Sequence, residues 1–159
     1  MYRMLANNFY KLINSPVFLS AFFAWFFAQL IKTIVEVGRG KNSTSRDILA
    51  SLVWRTGGMP SSHSALVTAL ATALGFTEGL DSSLFVFALF TGILTIRDAM
   101  GVRRAAGNQA QALNQMSEDL HKQFGFEQRP VKEVLGHTPA EVFIGCLLGL
   151  FIAMAFCIL

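Results

Sequence analysis

The stretch Pro16 to Ile31, PVFLSAFFAWFFAQLI, decides the fold class. It lies within 20 residues between Lys11 and Lys32 that carry no charge. At about 1.5 Å of helical rise per residue, such a run crosses the roughly 30 Å of hydrocarbon in a bilayer. No small-residue cleavage site follows, and the run ends on Gln29 and Lys32, so it is expected to stay attached as a span rather than to be removed as a secretory signal. Three more uncharged intervals follow. Arg55 to Glu78 holds a helix starting near Ser61; Ser82 to Ile96 is bounded by Asp81 and Arg97; Val142 to Leu159 reaches the C-terminus. The expected architecture is an all-α integral membrane helical bundle in one domain, 1–159, with about four spans near 16–34, 61–77, 82–98 and 139–158. Ala69 with Ala73 and Gly145 with Gly149 are small residues four apart, the spacing that lets helix backbones approach closely in lipid.

Composition agrees with this reading. Charged residues are 14% of the 159, against about 25% in a soluble domain, and mean hydropathy is +0.48. A soluble enzyme, a disordered tail and a nucleic-acid module are excluded. The net charge of +3 resides in the loops and reports orientation, not a nucleic-acid partner. Cys146 and Cys157 share one apolar run, where they read as packing or lipid-facing residues and not as a disulfide framework. Five Lys and Arg residues lie between Lys32 and Arg55 and six between Arg97 and Lys132, while Thr77 to Asp81 has none. The positive-inside rule then places the two long connections on the cytoplasmic side. Within the second of them, residues from about 103 to 124 form an amphipathic helix, with Ala106, Ala110, Leu113, Leu120 and Phe124 on one side, suited to the membrane interface or to capping the bundle. A short element is expected over Val131 to Leu135, between Pro130 and Gly136.

Polar residues able to do chemistry collect at span ends. Lys32 and Arg39 follow the first span, separated by six residues; as a pair alone they read as snorkelling anchors. Gly57 to Ser64, GGMPSSHS, precedes the second: Gly58 permits close backbone approach, Ser61 or Ser62 caps a helix whose free amides suit a phosphate, and His63 stands at the mouth of an apolar span. Gly136 to Glu141, GHTPAE, precedes the last: Thr138, Pro139 and Glu141 make a capping box, which leaves His137 unexplained. Glu141, four residues on, is placed to bond one imidazole nitrogen and leave the other as a nucleophile or base. Arg97 to Arg104, RDAMGVRR, sets Arg103 and Arg104 beside Asp98, which either holds an arginine in place or ligates a metal.

These residues resemble the type 2 phosphatidic acid phosphatase superfamily, and more closely its divergent bacterial and plant branch, described as acid phosphatase or vanadium-dependent haloperoxidase related membrane proteins. The superfamily carries Lys-x6-Arg-Pro, Pro-Ser-Gly-His and Ser-Arg-x5-His-x3-Asp. Lys32-x6-Arg39 resembles the first, with Gly40 for proline; Pro60-Ser61-Ser62-His63 resembles the second, with serine for glycine; His137-x3-Glu141 resembles the end of the third, with Glu for Asp. Val131 stands where the third motif has arginine, so Arg103 or Arg104, and after them Arg129, are the expected replacements.

The resemblance implies a membrane phosphatase acting on a lipid phosphate or diphosphate, of the prenyl diphosphate or phosphatidic acid type. His137 attacks phosphorus, Glu141 fixes its tautomer, and His63 protonates the leaving oxygen. Lys32, Arg39, Ser61, Ser62, Arg103 and Arg104 hold the phosphate, supported by Asp98 and Gly58, with no cofactor and no metal. Two other readings stand beside it. One is a non-catalytic or transport protein binding a phosphorylated lipid; the other is metal-assisted hydrolysis using Asp98, His63, His137 and Glu141. The expected partners are the lipid phosphate, membrane lipids and a second copy of the chain, since four short spans make a thin bundle.

Overall fold

The computed structural model describes residues 2–38, 58–125, 129–133 and 136–159. Their regular structure is six helices: α1 (Tyr2–Ile13), α2 (Pro16–Gly38), α3 (Ser62–Thr77), α4 (Ser83–Met100), α5 (Val102–Phe124) and α6 (Pro139–Ile158). No strand occurs among the described residues, and the all-helical class is as expected.

Local chemistry sets most of the boundaries. Pro16 and Pro139 occupy first helical positions, where a missing N–H costs nothing. Ser61 caps α3, and Ser82 caps α4 by accepting the Phe85 N–H at 3.2 Å. Gly125, in the left-handed region at φ 69°, ends α5. Two elements depart from the sequence reading. Helix α1 was not anticipated: Leu5, Phe9 and Leu12 line one side and Arg3, Asn7 and Lys11 the other, in a segment with too many polar residues to read as a span. The element expected at Val131 to Leu135 is absent from its described part, 131–133; there Asn114 of α5 supplies the pairing, its Oδ1 accepting from the Val131 N–H and its Nδ2 donating to the Val131 carbonyl.

Helix α3 is the centre, packed against α2, α4 and α6. Its Ala65, Ala69 and Ala73, four residues apart, are fully buried together with Ala24 and Ala28 of α2 and Ala153 of α6. Large side chains point outward: Phe18, Phe22 and Phe26 stack along α2, and Phe87, Phe90, Phe143 and Phe151 are more than half exposed. Small residues inside and aromatic ones outside is the arrangement of a bundle dissolved in lipid, where close backbone packing rather than apolar burial joins the helices. Among the described residues, three helices are long and apolar enough to cross a membrane: the spans Pro16–Val35 and Pro139–Ile158, and the helix that starts at Ser83. The fourth expected span, α3, has only 16 residues. At about 1.5 Å per residue it falls short of the roughly 30 Å of hydrocarbon, and its neighbours supply the lipid-facing surface.

The tightest approach is between α3 and α6. A Cβ placed on Gly149 would strike the Ala65 carbonyl oxygen, and one on Gly145 the Ser61 carbonyl oxygen. Gly149→Val is therefore expected to destabilise the bundle by about 1–3 kcal/mol or more. Gly92→Ala, whose Cβ would meet Val67 at an ordinary 3.6 Å, is expected to be neutral or mildly stabilising. Thermal unfolding of both variants in detergent checks the contrast.

Candidate active site

The start of α6 builds the first half of the site. Thr138 N–H donates to Glu141 Oε2 at 3.0 Å, and Glu141 N–H donates to Thr138 Oγ1 at 3.3 Å, closing a capping box. The same Oε2 lies 3.0 Å from His137 Nδ1. An ionised carboxylate only accepts, so Nδ1 carries the hydrogen, and in the neutral ring Nε2 keeps its lone pair. One carboxylate oxygen thus secures the helix end and the imidazole together. His137 is buried, 7% exposed. Its own N–H donates to the Ala99 carbonyl at 3.1 Å, at the corner where α4 turns into α5. Gly136 seats the chain there: a Cβ would lie 2.5 Å from Arg104 N and 2.7 Å from the Ala99 oxygen.

The start of α3 builds the second half. Ser61 N–H donates to the Glu141 carbonyl at 3.0 Å, tying the two helix ends together. Ser61 Oγ accepts from Ser64 N–H at 3.4 Å and from Ser64 Oγ at 2.9 Å. Ser61 is thus drawn into the joint between the two helix ends. Its amide and hydroxyl are engaged and it is fully buried, because a helix end packed this closely on a neighbour needs its cap for the joint itself. The amides of Ser62 and His63 carry no bond among the described residues. Buried Lys32 reaches from α2 and donates from Nζ to Ser62 Oγ at 3.3 Å.

The corner between α4 and α5 closes the site. Arg103 Nε donates to Asp98 Oδ2 at 2.7 Å, with both side chains partly exposed, so Asp98 holds an arginine in place. The exposed His63 imidazole lies in the fields of Arg103, Lys32 and His137, with Asp98 as the opposing charge, and Lys32 lies in that of Glu141. Lys32, Ser62, His63, Asp98, Arg103, His137 and Glu141 thus share one end of the bundle. Arg104 joins them through its backbone at Gly136, its side chain exposed. Arg129 belongs to the segment held by Asn114, ten residues along α5 from Arg104 and so about 15 Å away. Gly58, exposed at φ 83°, touches nothing within 4 Å of a would-be Cβ, and Arg39 lies outside the described residues. Among the described residues, no three His, Cys, Asp or Glu side chains are grouped to hold a metal ion. Sequence reading missed Gly136 as the seat of His137; only its position before a histidine marked it.

The family model described as the divergent PAP2 family matches residues 13–152, and the chain belongs to that family. It is also similar to an uncharacterized membrane protein, YuiD, of Bacillus subtilis (strain 168), with 43% identity over 154 residues that cover 90% of this chain and 94% of that protein. No solved structure matches.

Two substitutions separate the roles of Glu141 and Gly136. Glu141→Ala is expected to cost about 0.3–1 kcal/mol through the lost half of the capping box and to release the His137 tautomer, seen as a mixed protonation pattern in nitrogen NMR of histidine-labelled protein. Gly136→Ala is expected to leave the tautomer intact while lowering thermal stability, since Arg104 N and the Ala99 oxygen leave its Cβ no room.

Proposed function

We propose that this chain is a membrane phosphatase that hydrolyses a lipid phosphate or diphosphate, of the prenyl diphosphate or phosphatidic acid type, through a phosphohistidine intermediate. The observation that carries the reading is the 3.0 Å contact from His137 Nδ1 to Glu141, made where α6 is tied to the start of α3 and its His63.

In this reading His137 Nε2 attacks phosphorus in line. The P–N bond forms as the bond from phosphorus to the leaving oxygen breaks, and protonated His63 gives that oxygen its proton. Water, deprotonated by His63, then attacks phosphorus and breaks the P–N bond, returning both imidazoles to their starting forms. Lys32, Arg103, Arg104 and the free amides of Ser62 and His63 neutralise the equatorial oxygens, as a cation clamp does in other phosphoryl transfers. Arg39 is assigned to the same clamp from its motif. Engagement of Asp98 by Arg103 favours this route over a metal-assisted one. The cation-rich connections support a cytoplasmic active-site face.

Phosphate release from purified protein, screened over undecaprenyl diphosphate, shorter prenyl diphosphates, phosphatidic acid and phosphatidylglycerophosphate, tests the proposal. Activity is expected to resist chelators, to vanish in His137→Ala, to fall about 10²–10⁴-fold in His63→Ala and to persist in Cys146→Ser. Full activity of the His137 variant overturns the assignment, and lipid binding with no phosphate released from any substrate favours a binding or transport role.

A further inference from the structure

Helix α2 carries a buried polar group that the mechanism leaves unused. Gln29 is 3% exposed, and its Oε1 has no hydrogen-bond partner among the described residues. Leaving a buried amide oxygen unpaired is costly, more so in a bundle surrounded by lipid. Gln29 and Lys32 are three positions apart, so the two share one helix face, with Gln29 about 4.5 Å further along the axis into the bundle. Ser20 Oγ is likewise unpartnered, but twelve residues from Lys32 it lies about 18 Å away.

We infer that Gln29 is a specificity-determining residue of this site, hydrogen-bonding the oxygen atoms that join a lipid's phosphate to its hydrocarbon. The inference rests on the phosphate site proposed above. With the phosphate at Lys32, the atoms that join it to the hydrocarbon extend along α2 from the membrane end, and the level of Gln29 is the first they meet. A second phosphate at that depth calls for a cation; the side chain present is neutral, with an acceptor and two donors. Neutral ester and hydroxyl oxygens match it. A hydrocarbon attached directly to the phosphate leaves the carboxamide unpaired, and a site with an unpaired buried polar group discriminates against such a ligand. The class selected is a lipid phosphate with an oxygen-bearing linker, as in a glycerol ester, over a prenyl or alkyl phosphate.

Gln29→Met, near in shape and without the amide, tests this in the full-length protein. Wild type is expected to turn over dioleoyl phosphatidate with higher kcat/KM than farnesyl phosphate. The variant is expected to lose about tenfold on phosphatidate, a difference of about 1.4 kcal/mol, with no loss on farnesyl phosphate and no drop in thermal stability. Gln29→Asn, which keeps the amide, is expected to restore part of the preference. Binding of the two matching non-hydrolysable phosphonates, measured in parallel, separates this inference from the catalytic one. If wild type releases no phosphate, phosphatase activity falls, yet a tenfold phosphonate preference lost in Gln29→Met still supports the role of Gln29. Equal effects of the variant on both lipids, or none on either, overturn it.

Discussion

At Gly145 and Gly149 the backbone of α6 runs against the carbonyl oxygens of Ser61 and Ala65, with no room for a Cβ at either glycine. Helices in lipid gain little from burying apolar surface and associate through close contact of small residues. This approach is therefore what joins α6 to the centre of the bundle. It also sets the helix ends. Contact at Gly145 brings the first turn of α6 level with the first turn of α3, where Ser61 N–H meets the Glu141 carbonyl. Two helix beginnings, each the positive end of a dipole, then lie side by side.

The site is economical in its use of groups. Glu141 Oε2 receives both the Thr138 amide and His137 Nδ1, so the helix cap is also the orienting carboxylate. Glu reaches both where the superfamily motif carries Asp. On the opposite side, Asp98 bonds Arg103 across the Gly101 corner, and the same corner receives His137 through the Ala99 carbonyl. The seat at Gly136 sets His137 against the backbone of Arg104, one residue from the Arg103 that Asp98 holds.

Spans and caps were legible because each is a local property. An 18-residue apolar run partitions into lipid whatever its neighbours, and Thr138 with Glu141 completes its capping box within four residues. Helix α1 was not legible: Arg3, Asn7, Asn8 and Lys11 interrupt any apolar run, and its periodic side becomes visible only once the segment is read as a surface helix. Ser61 was read as a phosphate ligand because its neighbourhood in sequence suits one. Its amide is engaged by a carbonyl from 80 residues further along, a partner that no local pattern announces. Gln29 was noted only as the end of an apolar run; its buried, unpaired oxygen depends on which way α2 faces α3.

The sequence by itself determined that the chain is a helical membrane protein and which residues resemble the motifs of the family to which it belongs, since hydropathy and motif spacing are read within a few turns of chain. Tertiary structure decided which of those residues meet. It placed His137 on Glu141, Lys32 on Ser62 and Arg103 on Asp98, and it tied Ser61 to the backbone of α6. The physical reason is the reach of a side chain, a few ångströms at most, so a site between four helices exists only where backbone packing has already set their ends together.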